Sequence, residues 1–183
     1  MRAIGRKKKS PDIWPTESQS PKNRIVVLLD LENLTANLPP IGPETFSFSS
    51  GFDRVMKEIA REVGLIEDVF VFAPPHLIQT HGEHLYSQGF TIIACPKVTT
   101  KDGRQRIDTV DQTLIDFGKK IMRQTQGITH LCLGSGDKDF SLLIREAIRR
   151  GLKIIVVASS KDSLSKDLIE LSDQVFLFSP IEQ

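Results

Sequence analysis

The sequence predicts an α/β domain with a central, mostly parallel β-sheet flanked by helices, and three observations carry that expectation. Short apolar runs rich in β-branched residues recur between residues 24 and 178. Stretches with one-sided helical periodicity lie between them, and glycines close several of those stretches. Strands alternating with helices build βαβ units, whose right-handed crossovers make the strands parallel.

Residues 1–23 are rich in Lys, Ser and Pro and are expected to form a flexible basic tail, with residues 24–180 as one domain. The first strand is IVVLL at 25–29, ending in Asp30; a continuous aliphatic run of this kind suits a strand covered on both faces. Further strands are expected at Val69–Phe72, Thr91–Ala94, Thr129–Leu133, Ile154–Val157 and Val175–Phe178. Residues 52–63 place apolar side chains at 52, 55, 56, 59, 60 and 63, a helical stripe that stops at Gly64. Helices are also expected over Pro75–Ser87, Ile107–Gln124 and Lys138–Arg150, with a short one at Ser165–Leu171. The helix from Ile107 is the longest expected.

With 39% hydrophobic and 26% charged residues, the chain has the balance of a soluble globular protein. No apolar stretch approaches the roughly 18 residues that span a membrane. The basic N-terminus is followed by no apolar segment, so a secretory signal is not expected. Cys95 and Cys132 sit inside apolar runs, where reduced thiols are common, and a cytoplasmic location follows as the expectation. Net charge is only +1, but positive charge gathers in Arg6–Lys9 and in Lys101, Arg104 and Arg106. Bases near a group of acids suit a site that handles a polyanion.

The acids that matter follow strands. Asp30 ends the first strand, and Asp137 and Asp139 follow the fourth, in LCLGSGDKDF. In a parallel sheet these emerge at the carboxyl edge, where ligands bind near the point at which strand order reverses. Each alone could simply cap a helix. The helix from Ile107 adds a further carboxylate. Its apolar stripe is set by Ile107, Val110, Leu114, Gly118 and Ile121, and Asp111 falls roughly 50° from the stripe's centre. Asp108 falls about 110° away and Asp116 nearly opposite. A carboxylate near the buried face costs several kcal/mol unless paired, and no Lys or Arg within one turn shares that face. A set of hard oxygen donors without His or Cys suits Mg2+ or Mn2+. Asp30, Asp111, Asp137 and Asp139 are therefore the expected metal ligands and catalytic residues, with Asp108 as the alternative helix ligand.

These residues resemble the NYN domains, a branch of the PIN-like metal-dependent ribonucleases. Asp30 and Asn33 in LLDLEN are similar to the family's Asp-x-x-Asn motif. Val110, Asp111 and Leu114 in TVDQTLIDF are similar to its middle-helix motif. Ser135, Gly136, Asp137, Asp139 and Phe140 match its Ser-Gly-Asp-x-Asp-Phe block, and RRGLKIIVVAS and DLIELSDQVFLF resemble the segments that follow. The resemblance implies a PIN-like three-layer fold, Mg2+ or Mn2+ held by the acids, and RNA as substrate. It further implies that Asn33 and Ser135 position ligand or phosphate. Lys101, Arg104 and Arg106 are expected to engage the RNA backbone.

The function expected is a metal-dependent endoribonuclease, against an RNA-binding or regulatory domain of negligible turnover. A haloacid-dehalogenase-like phosphatase fits poorly, because the acid after strand one stands in Asp30-Leu31-Glu32 rather than Asp-x-Asp. His76, His81 and His84 lack the fourth donor of a zinc site and are expected at the surface. GSG at 134–136 without a following Lys is not a P-loop. A homodimer is left open as the assembly.

Overall fold

The computed structural model describes residues 23–36, 48–99 and 106–178. The basic tail, Lys101, Arg104 and the side chain of Arg106 lie outside the described residues. In chain order the elements are β1 (Arg24–Asp30), α1 (Leu31–Thr35), α2 (Phe48–Glu62), β2 (Leu65–Ala73), α3 (Pro75–Ser87) and β3 (Thr91–Ala94). There follow β4 (Val98–Thr99), β5 (Arg106–Ile107), α4 (Val110–Gln124), β6 (His130–Gly134), a 3-10 turn (Lys138–Phe140) and α5 (Ser141–Arg149). The chain closes with β7 (Lys153–Ala158), α6 (Lys166–Leu171) and β8 (Gln174–Leu177).

Six strands form one sheet in the order β3-β2-β1-β6-β7-β8, and every pairing in it is parallel. The period of two along β1 divides the core into two layers. Ile25, Val27 and Leu29 face a cluster with Leu31 and Leu34 of α1, Phe52 and Met56 of α2 and Leu85 of α3. Val26 and Leu28 face the other, with Val110 and Leu114 of α4, Leu143 and Ile144 of α5 and Leu168 of α6. Residues 25–29 are at most 1% exposed, and full burial of such side chains stabilises by roughly 1.5–3 kcal/mol each. Gly118 brings α4 close to the sheet, since a Cβ there would lie 2.9 Å from Leu28 Cδ1 and 3.1 Å from Leu143. The result is the expected sandwich of helices, sheet and helices.

Several boundaries differ from expectation. The helix predicted from Ile107 begins at Val110, because Arg106–Ile107 pairs as β5 with β4 and Asp108 caps the helix from outside it. The helix predicted from Lys138 opens as a 3-10 turn, tightened by the Asp137 carboxylate accepting from the Asp139 amide at 3.0 Å. Gly89 and Gly151 end α3 and α5 with φ of +83° and +81°, as a left-handed helix stop requires. Gly64 works differently: a Cβ there would meet the Asn23 backbone carbonyl at 2.5 Å, so it admits the neighbouring chain. The antiparallel β4–β5 pair and the five-residue α1 were not expected. No helix among the described residues is long and apolar enough to cross a membrane.

Candidate metal centre at the carboxyl edge of the sheet

From β1 the chain steps to β2 and β3 on one side, then returns to β6 on the other and continues to β7 and β8. The order therefore reverses between β1 and β6, which is where a crevice opens in such sheets. Leu29 is in register with Gly134, so the segments leaving the two strands begin side by side. Asp30 continues the parity of Val26 and Leu28 and so emerges on the side of the sheet that α4 covers.

Hydrogen bonds knit the two segments together. Asp30 Oδ1 accepts from the Asn33 amide at 3.1 Å, and its Oδ2 accepts from the Ser135 hydroxyl at 3.4 Å. Asn33 Oδ1 accepts from the Gly136 amide at 2.9 Å, and Ser135 Oγ accepts from the Asp137 amide at 3.2 Å. Asn33 and Ser135 thus fix the geometry of the edge, and Ser135 is fully buried. Gly136 is wedged against the loop after β7: an added Cβ would collide with the Ser163 carbonyl, and the Ser165 amide donates to the Gly136 carbonyl at 3.0 Å.

Asp30 is 5% exposed, and its carboxyl is pushed up to about 7 by burial, with the Asp111 and Glu32 carboxylates adding to the shift against the Asn33 amide. Asp111, half-buried in the first turn of α4, is also raised, by burial and then by Asp137, Asp108, Asp139 and Glu32. Acids from three chain segments therefore influence one another. Asp30, Asp137 and Asp108 each take a backbone amide at a helix start, the ordinary work of a capping carboxylate. Asp111 takes none: among the described residues it has no hydrogen-bond donor and no ion-pair partner.

Asp108 is set apart. It is exposed, sits before the helix, and bonds Lys97 Nζ at 3.1 Å. Burial raises its pKa, but the Val110 amide and the Lys97 ammonium outweigh that and hold it below the usual range. Lys97 Nζ also lies 3.5 Å from Glu32 Oε1. Glu32 and Lys97 escaped the sequence reading. Glu32 stands two residues from Asp30, a usable signal, whereas nothing in ACPKV marks Lys97.

The acids share the edge without closing on one another. Among the described residues no three His, Cys, Asp or Glu side chains form a ready metal-holding group. Uncompensated carboxylates repel, by roughly 3 kcal/mol at 6 Å and an effective dielectric of 20, and Asp30 and Asp137 turn towards amides instead. The donor set nonetheless fits a hard divalent ion: oxygen ligands only, with no cation paired to Asp30, Asp111, Asp137 or Asp139 among the described residues. The histidines of α3 take part in no metal-holding group among the described residues. His84 is half-buried, with Nε2 at 3.3 Å from Asp53 of α2, rather than at the open surface. Cys95 and Cys132 are free and buried, and burial raises both thiols, so neither is a reactive thiolate.

A parallel six-stranded sheet flanked by helices, with acidic residues at its switch point, makes this an α/β fold. The NYN domain family model matches residues 24–180, and the chain belongs to that family, within the PIN-like superfamily. Among solved structures, a protein of unknown function from Vibrio parahaemolyticus has a similar fold, with a TM-score of 0.67 at 22% identity over 91% of this chain and 98% of that one. No curated protein sequence matches the chain.

Proposed function

We propose that the protein is a divalent-metal-dependent endoribonuclease whose ion or ions are held by Asp30, Asp111, Asp137 and Asp139. The observation that carries this is Asp111, a half-buried carboxylate beside other carboxylates with no donor or cation of its own among the described residues. Such a group is stabilised by a cation. Mg2+ or Mn2+ bound there supplies an activated water and stabilises the charge that develops on a phosphodiester. The chain's own residues set the geometry. Asn33 and Ser135 hold the Asp30 and Asp137 segments at fixed separation, and Asp137 shapes the turn that presents Asp139. Lys101, Arg104 and Arg106 precede α4 in sequence and would neutralise RNA phosphates on approach to Asp111. Two free, buried thiols suit a reducing cytoplasm.

The test is incubation of labelled RNA and DNA with Mg2+, Mn2+ or EDTA, beside Asp137→Asn and Asp30→Asn. Cutting of RNA is expected with either ion, with loss in EDTA and at least a hundredfold loss in each variant, since each removes charge but little volume. Metal-dependent cutting by the double variant would refute the site. The carboxylates' failure to close into a triad favours one rival, an RNA-binding domain without turnover. That rival requires RNA affinity indifferent to EDTA and no cleavage at millimolar Mn2+.

A further inference from the structure

We propose that Lys97 is a positioning residue that divides the carboxylates of this edge into two sets, withholding Glu32 and Asp108 from the ion. The proposal rests on the metal-dependent reading above and says which acids take part. Hydrogen bonds tie the Asp30–Asn33 segment to Ser135–Asp137, and Lys97 bridges Glu32 of the first segment to Asp108 at the entry to α4. Asp30, Glu32, Asp108, Asp111, Asp137 and Asp139 therefore leave neighbouring segments of one edge. Among the described residues Lys97 is the one cation in ion-pair contact with any of them, at 3.1 Å from Asp108 and 3.5 Å from Glu32.

The two residues before Lys97 are each held in place. The Cys95 amide donates to the Ala73 carbonyl at the end of β2, at 2.8 Å, and Thr109 Oγ1 donates to the Pro96 carbonyl, at 2.9 Å. Lys97 is thereby fixed between the sheet and the entry to α4. Asp108 has one oxygen on the Val110 amide and the other on Lys97, so each of its oxygens already has a partner.

Charge and coordination both make this division useful. A Mg2+-type ion keeps several waters and takes only one or two carboxylates plus substrate phosphate. Six carboxylates around the crevice would crowd out phosphate and repel it. With two of them tied to Lys97, four remain, whose charge balances two divalent ions. The tie is partly exposed, with each of the three side chains about 40% accessible, so each pair contributes modestly.

The experiment is Mn2+ titration by calorimetry on the full-length protein, without RNA. It compares wild type, Lys97→Met, Lys97→Met/Asp108→Asn, and Lys138→Met. Lys138 is an exposed lysine between Asp137 and Asp139 with no ion pair among the described residues, so its removal controls for loss of charge alone. Lys97→Met is expected to tighten Mn2+ binding by about tenfold, the roughly 1.4 kcal/mol that two exposed ion pairs can hold between them. Asp108→Asn added to it should restore most of the wild-type value, and Lys138→Met should change binding less than about threefold. Lys97→Met binding no tighter than Lys138→Met overturns the proposal. Unchanged Mn2+ binding in Lys97→Met, with weakened RNA affinity in a separate titration in EDTA, also overturns it, assigning Lys97 to a phosphate contact. Should the wild type bind no Mn2+ while Lys97→Met does, the division stands and the metal-dependent nuclease reading falls; binding by neither sinks both.

Discussion

The last residue of β1 holds its carboxylate under the sheet's edge, with one amide donor and one long hydroxyl contact to offset its burial. Asp30 titrates at about 7 in the fold, against 3.8 for the unperturbed group expected in the unfolded chain. Between those values the folded protein keeps a proton that the unfolded chain has lost. Stability in the absence of an ion therefore falls as pH rises from about 4 to about 7, and is level above that. The difference is on the order of 4 kcal/mol. Asp30→Asn removes it while retaining the capping oxygen, so in EDTA at pH 8 the variant should be the more stable by a few kcal/mol. The two proteins should converge near pH 4. Urea denaturation at several pH values checks this, and parallel curves would show that Asp30 is not the strained group. Saturating Mn2+ should reverse the order, because only the carboxylate gains from the ion.

At the scale of elements, the meeting of the β6 segment with the loop after β7 is as demanding as any charge. Gly136→Ala places a methyl group on the Ser163 carbonyl. Overpacking of this kind costs about 1–3 kcal/mol, and it pushes the Ser135–Asp137 segment off the Asn33 side chain. A lower urea midpoint and reduced RNA cutting are expected together, although no functional group is lost; wild-type values for both would show that the loop yields freely. How much of this was legible in the sequence follows from the range of each interaction. β1 and Asp30 could be read because a strand covered on both faces must be apolar throughout. Asp111 could be read because helical period fixes its angle to the core. The start of α4 could not, since a stripe carries period but no terminus, and the β4–β5 pairing that sets the terminus is two residues long on each side. α1 is too short to show any period and exists because Asp30 caps it. Lys97 was invisible for a different reason: its partners stand at positions 32 and 108, and only folding brings them together.

Across the whole molecule, the sheet ranks its own strands. β1 is paired on both flanks, to β2 and β6, and roofed on both faces, whereas β3 and β8 lie at the margins with one neighbour each. Amide hydrogen exchange should follow that order. The amides of residues 25–29 and 131–133 should exchange slowest, at the rate of global unfolding, and those of 91–94 and 174–177 well before them. Equal protection across the six strands would contradict the ranking. One consequence concerns durability. Asp30 and the turn bearing Asp137 and Asp139 spring from the two strands that open last, so fraying at either margin, by warmth or by a protease, leaves the acidic crevice standing. Its loss should coincide with loss of the fold itself.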